Sequence, residues 1–196
     1  MSETFCFCGL ILPYLCQREG EHIGERRIEV PIAREWLKQQ QESSVIEVGA
    51  VLPYWQQVHH EVVDPYDPNL QVTRYEDAEN CDFTGRSVLS ISTIEHVGRG
   101  EYGDFRDAFK AGRVLSKIVR EARSYLITLP MGYHPGLDRQ VETSGLTMRF
   151  QRQVSAENLW EMCEPDWEAQ YNAPLPYANV VVFISNSFAW AEGAAK

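Results

Sequence analysis

Basic side chains are scarce in this sequence. Lysine and arginine total 18 against 28 aspartates and glutamates, a net charge of −10. Nucleic-acid binding needs clustered cations to displace counterions from phosphates, so a nucleic-acid partner is excluded. An anionic membrane surface is disfavoured by the same sign. Long uncharged apolar runs are also missing. The longest spans residues 5–16 and contains Pro13, well short of the ~20 residues a membrane-crossing helix needs. Glu3 precedes it, no basic residue does, and no small-residue cleavage site follows, so it does not read as a signal peptide. Cysteines are few and odd in number: Cys6, Cys8, Cys16, Cys81 and Cys163. A disulfide framework is excluded and a reducing, cytoplasmic setting is expected. Cys6, Cys8 and Cys16 lack a fourth ligand at zinc-site spacing, so no metal is expected and the segment should dock on the core or on a partner. Repeats are absent. A chain of 196 residues, 44% hydrophobic, suits one domain with an appendage. We expect an extension over residues 1–24, a main domain over 25–196, and a small-molecule substrate; the sequence leaves the oligomeric state open.

The elements present alternate between strand and helix patterns. Apolar positions at helical spacing predict a helix over residues 32–38, with Pro31 in its first turn. Residues 45–51, 61–66, 87–94, 124–130 and 179–185 read as strands, and residues 146–150 as a short one. A helix is predicted over 104–123, with Phe105 and Phe109 on its apolar stripe. Another is predicted from about residue 156, capped by Ser155 and carrying Leu159 and Trp160. The alternation implies an α/β fold with a mostly parallel sheet and helices on both faces. Ligands of such sheets bind beyond the carboxyl ends of the strands.

The residues there are specific. Gly49 lets the backbone turn tightly after the first strand. Asp64, after the second, is spaced to accept from ribose hydroxyls, or else to cap the Pro65 turn. Asp77 and Asp82 fall where a third unit should end. Glu95 and His96 follow the third strand and supply an acid/base pair, or a polar strand end held by backbone bonds. Tyr133 and His134 follow the strand over 124–130, in reach of substrate. His59 and His60 are discounted as a metal pair because neighbours on a strand diverge.

Val-Ile-Glu-Val-Gly at 45–49, Glu-Val-Val-Asp at 61–64, Ile-Glu-His-Val at 94–97 and Thr-Leu-Pro-Met-Gly-Tyr-His at 128–134 resemble, in order, the motifs of class I S-adenosylmethionine-dependent methyltransferases. The last is similar to a branch some of whose members are encoded with polysaccharide-synthesis enzymes. The resemblance implies a Rossmann-like sheet of seven strands with the last antiparallel. It implies S-adenosyl-L-methionine across the first strand ends, with Glu47 and Gly49 in the donor-binding set and Gly49 near the donor's amino acid part. Asp64 would hold the ribose and Asp77 the adenine, with Ile94 to His96 under the methyl and His96 as base. The acceptor would be a small molecule, a saccharide or its precursor among the candidates. The loop departs from the family's Gly-x-Gly-x-Gly at Val51 and Pro53. That departure supports the alternative of a non-catalytic scaffold that has lost the cofactor. It argues more strongly against a nicotinamide dinucleotide, whose pyrophosphate needs a closer approach.

Overall fold

Four strands are buried on every residue, and their side chains alternate between two cores. The computed structural model, which describes residues 3–16, 23–103 and 105–187, sets out these elements: β1 (Thr4–Phe7), β2 (Leu10–Pro13), α1 (Arg26–Leu37), β3 (Val45–Val48), β4 (Glu61–Val63), β5 (Ser87–Ile91), α2 (Lys110–Glu121), β6 (Ser124–Pro130), α3 (Pro135–Glu142), β7 (Met148–Gln153), β8 (Trp160–Cys163) and β9 (Val180–Ser185). β3, β5, β6 and β9 are the wholly buried strands. Val88, Ile127 and Val182 enter the core under α2 and α3, while Leu89, Leu126 and Phe183 enter the core under α1. The period of two with both faces apolar is the signature of a sheet covered on both sides.

The seven sheet strands lie in the order β4-β3-β5-β6-β9-β7-β8. β3 pairs parallel with β4 and β5, and β5 with β6, whereas β9, β7 and β8 join antiparallel. Five strands therefore run one way and two the other. Beyond β4 the expected third unit is reduced to one bridge, Val63 to Arg74. The seventh strand is instead β8, on the opposite edge.

β8 overturns a sequence expectation. Asn158 takes a left-handed φ of 62°, which a helix cannot accommodate. Trp160 is then held by the N-terminal segment: its amide donates to the Tyr14 hydroxyl at 2.8 Å, and its indole donates to Asn158 Oδ1 at 2.6 Å. Ser155 caps only a turn, accepting from the Leu159 amide at 3.4 Å.

Two helices also start elsewhere than expected. α1 begins at Arg26, so Pro31 lies inside it. Proline there leaves the Arg27 carbonyl without its helical donor, and the Leu15 amide supplies one at 3.0 Å. α2 begins at Lys110, because Asp107 turns the chain before it: its amide donates to the Gly98 carbonyl at 2.8 Å and its carboxylate accepts from the Phe109 amide at 3.0 Å. Phe105 and Phe109 are consequently exposed, and Asp104 lies outside the described residues. α3, which periodicity did not reveal, starts at Pro135 with His134 as its cap.

The β1–β2 hairpin packs on the α1 side. Phe7 meets Phe183 with ring centroids 4.9 Å apart, and the Gln151 side chain donates to the Cys6 carbonyl at 2.9 Å. All five cysteines are free thiols. No helix among the described residues is long and apolar enough to cross a membrane.

Candidate functional site

The chain leaves β3, moves outward to β4, then crosses back over β3 to β5. That reversal splays the loops at the carboxyl ends and opens a crevice between them. A cleft of about 340 Å³ lies there, lined by loops 48–51, 63–68 and 92–97, with Arg26, Asp77, Ala78, Tyr102 and Lys110.

Gly49 turns the first loop with a φ of 86°. A Cβ there would strike the Thr93 side chain and stand 2.8 Å from its Cβ. The glycine therefore serves the packing of two loops as well as lining the cleft. Glu47 is fully buried below: Oε1 accepts the amides of Val51 and Leu52 at 3.1 and 2.8 Å, and Oε2 pairs with His60 Nε2 at 2.7 Å. It shapes the loop from behind and does not reach the cleft. Val51 does line it, whereas Pro53 is buried and is not among its lining residues.

Asp64 stands on the cleft wall. Oδ1 accepts the amides of Tyr66 and Asp67 at 2.9 Å, and Oδ2 accepts that of Ala50 at 3.2 Å. It caps its turn, as one reading of the sequence had it, and Oδ2 keeps one accepting direction. Asp77 also lines the cleft, ion-paired with Lys110. Asp82 does not; it caps an exposed turn through the Thr84 amide at 2.9 Å.

Residues 94–96 form a 3-10 turn after β5. Ile94 points into the α2 core and is wholly buried. His96 faces the cleft, and its partner is a residue the sequence reading missed. Nδ1 lies 2.7 Å from Glu101 Oε2, which also accepts from the Tyr133 hydroxyl at 2.9 Å, while Oε1 accepts from Arg99 at 2.7 Å. Burial works against the Glu101 carboxylate, but these three donors hold its pKa down to about 2. An ionised Glu101 fixes the Nδ1–H tautomer and leaves Nε2 as the basic nitrogen. Tyr133 belongs to this cluster, and burial followed by Glu101 raises its phenol well above the usual range. Its neighbour His134 points elsewhere: Nδ1 accepts the Leu137 amide at 3.1 Å as the cap of α3, and burial lowers its pKa.

Glu95 turns inward, toward a buried group at the start of α1. Glu29 accepts from Ser92 and Thr128 hydroxyls, both at 2.5 Å, and pairs with Arg26. Ser92 is held at a φ of 36°, a strained conformation of the kind that gathers at functional sites. Burial raises the pKa of both Glu25 and Glu95. Helical spacing did not flag Glu25, Arg26 or Glu29, because the sequence reading began the helix after them.

Asp138 offers a direct test of the electrostatics beside this loop. Burial pushes its pKa up to about 6, against the pull of the Gly132 amide 3.0 Å away. Its folded value exceeds the unfolded one of about 4, so the native state binds the proton more tightly. Stability should fall as pH rises from about 4 to about 6 and level off above. Asp138→Asn keeps an acceptor for Gly132 and removes the charge. Allowing for partial exposure, it should gain on the order of 1 kcal/mol at pH 7.5 and nothing at pH 4. Urea melts at the two pH values measure this; equal gains at both would count against the assignment.

No family model and no curated protein matches the chain. Among solved structures it is similar to magnesium protoporphyrin IX methyltransferase from Synechocystis PCC 6803 with bound SAM, at 8% identity and a TM-score of 0.44 over 85% of this chain and 86% of that one.

Proposed function

We propose that the protein is a Rossmann-like methyltransferase that binds S-adenosyl-L-methionine in the cleft and transfers its methyl group to a small-molecule acceptor, a saccharide or its precursor among the candidates. The observation that carries this reading is the position of the cleft, at the strand-order reversal, with Gly49, Asp64 and Asp77 on its walls in the order the motifs imply. The residues fit the donor. The cleft's volume of about 340 Å³ lies within the roughly 300–1,000 Å³ of small-molecule sites. The open direction on Asp64 Oδ2 would accept from a ribose hydroxyl, Val63, Ala78 and Val97 would face the adenine, and Arg26 would meet the donor's carboxylate. When bound, the donor supplies an electrophilic methyl on a sulfonium sulfur. The chain's part is to hold the acceptor in line, exclude water, and take a proton at His96 Nε2.

Isothermal titration with S-adenosylmethionine and S-adenosylhomocysteine is the test. Saturable binding is expected, and no heat at millimolar ligand would remove the reading. Asp64→Ala should weaken S-adenosylhomocysteine by about 1–3 kcal/mol. An unchanged dissociation constant in a folded variant would detach Asp64 from the ribose. A second reading, a scaffold without cofactor, draws on Val51 in the cleft wall and on Asp77 being paired with Lys110. It requires that neither ligand bind.

A further inference from the structure

Two tyrosines on the cleft wall are half exposed and bind nothing through their hydroxyls. Tyr66 and Tyr102 both line the cleft, 47% and 58% exposed, and neither hydroxyl has a hydrogen-bond partner among the described residues. The hydroxyls of Tyr54 and Tyr133, by contrast, donate to Asp67 and Glu101. The two open rings come from separate loops, yet their planes differ by only 18° and their centroids lie 6.5 Å apart. Tyr66 is on the firmer side: Pro65 precedes it, and its amide donates to Asp64 Oδ1 at 2.9 Å. Tyr102 is carried on a loop turned by Gly98, Gly100 and Gly103, all at positive φ.

The spacing and the neighbours of this pair point to its guest. Carbon atoms in contact stand ~3.5 Å apart, so near-parallel rings 6.5 Å apart need only a small widening to seat one flat ring against both. The glycine loop under Tyr102 permits that widening. A puckered sugar ring, with hydrogens projecting from both faces, needs a wider gap. Tyr102 also stands edge-on to His96, with centroids 5.7 Å apart and planes at 66°, so the pair adjoins the imidazole to which proton transfer is assigned above. Charge narrows the guest further. Asp64 and Asp67 line the cleft without a cation partner among the described residues, whereas Arg26 and Lys110 are ion-paired with Glu29 and Asp77. That balance repels an anion.

We infer that Tyr66 and Tyr102 form the acceptor subsite and that the acceptor is an uncharged aromatic alcohol, its flat ring held between the two tyrosines. The inference rests on the methyl-transfer reading above and narrows its acceptor. The hydroxyl on the guest's ring gives its proton to His96 Nε2. The freed lone pair on oxygen forms the oxygen–carbon bond as the bond from methyl to donor sulfur breaks, and the electron pair of that bond stays on sulfur as a neutral thioether. The product leaves as an aryl methyl ether, and His96 returns its proton to solvent.

The test uses matched probes on the full chain, titrated calorimetrically with saturating S-adenosylhomocysteine: 2-naphthol, its puckered counterpart decahydro-2-naphthol, and the anionic 6-hydroxy-2-naphthoate. The first two share a skeleton and a hydroxyl, so burial alone gives the flat one no advantage. Stacking on two faces should make 2-naphthol bind roughly tenfold or more tighter than the puckered probe, and the naphthoate should bind more weakly than 2-naphthol. Tyr66→Leu and Tyr102→Leu, at half-exposed side chains, should fold normally and each weaken 2-naphthol several-fold, while decahydro-2-naphthol and S-adenosylhomocysteine hold within about twofold. Equal binding of the flat and puckered probes, tighter binding of the naphthoate, or folded variants with the wild-type preference overturn the inference. Variants that lose S-adenosylhomocysteine would make the pair a clamp for the donor, which overturns it too. If S-adenosylhomocysteine does not bind the wild type, the methyl-transfer reading fails by itself, and the flat-ring preference and its dependence on the two tyrosines are read on the protein alone.

Discussion

His96→Gln is expected to cut turnover about 100-fold or more while leaving donor affinity and melting temperature near wild type, the usual signature of a lost general base. The expectation follows from three facts. The imidazole faces the cleft, its Nδ1 is engaged by Glu101 at 2.7 Å, and Nε2 is thereby left to accept a proton. Glutamine preserves a polar side chain of similar reach but cannot take the proton. Glu101 is a positioning residue in this scheme. Glu101→Gln should lower kcat while KM and donor affinity hold, since only the orientation and basicity of the imidazole change. If His96 were merely structural, activity would fall in step with thermal stability. A folded His96→Gln variant with near-normal turnover would end the assignment.

The second large effect is expected at Gly49. Its φ of 86° is one that a β-branched residue rarely adopts, and a Cβ would enter the Thr93 side chain. Strain of about 1–3 kcal/mol in the backbone adds to about 1–3 kcal/mol of overpacking. Gly49→Val should therefore destabilise the fold by roughly 3 kcal/mol or more. Because loops 48–51 and 92–97 share the cleft, donor binding should fall with it. Thr93→Ala combined with Gly49→Ala should recover only part of the stability lost by Gly49→Ala, since the two Cβ positions remain 2.8 Å apart and φ is unchanged. Urea melts of the four proteins in the cycle measure the coupling. Full recovery would mean that the backbone there is not strained, and a stable Gly49→Val would mean that the loop relaxes freely.

Much of the sheet was legible because burial writes itself into local sequence. Residues 124–130 are apolar or small throughout and form β6 with the boundaries the pattern gave. β5 was equally visible, though it ends at Ile91, where Ser92 adopts positive φ. What stayed hidden depends on partners far along the chain. β8 is a strand because Tyr14, 146 residues away in sequence, takes both backbone groups of Trp160. Pro31 sits within α1 because Leu15 satisfies the carbonyl that proline cannot. Glu101 reaches His96 because Gly98, Gly100 and Gly103, all at positive φ, fold the loop back on itself; that glycine spacing was the available signal. The positions of Asp64 and His96 just after β4 and β5 follow from spacing alone, whereas Asp77 reaches the cleft from a loop with no strand before it and the inward turn of Glu95 was not legible.

The β1–β2 hairpin finally sets an order in time. Phe5, Phe7 and Leu12 find cover among Trp160, Val181 and Phe183, side chains translated roughly 150 to 180 residues later. A ribosome adding roughly 5–20 residues per second leaves that apolar hairpin without its native cover for several seconds or more. The hairpin is thus among the last elements to be sheltered, and closure over this long loop should be among the slower folding steps. Nascent chains in that interval are the form of this protein most in need of a chaperone.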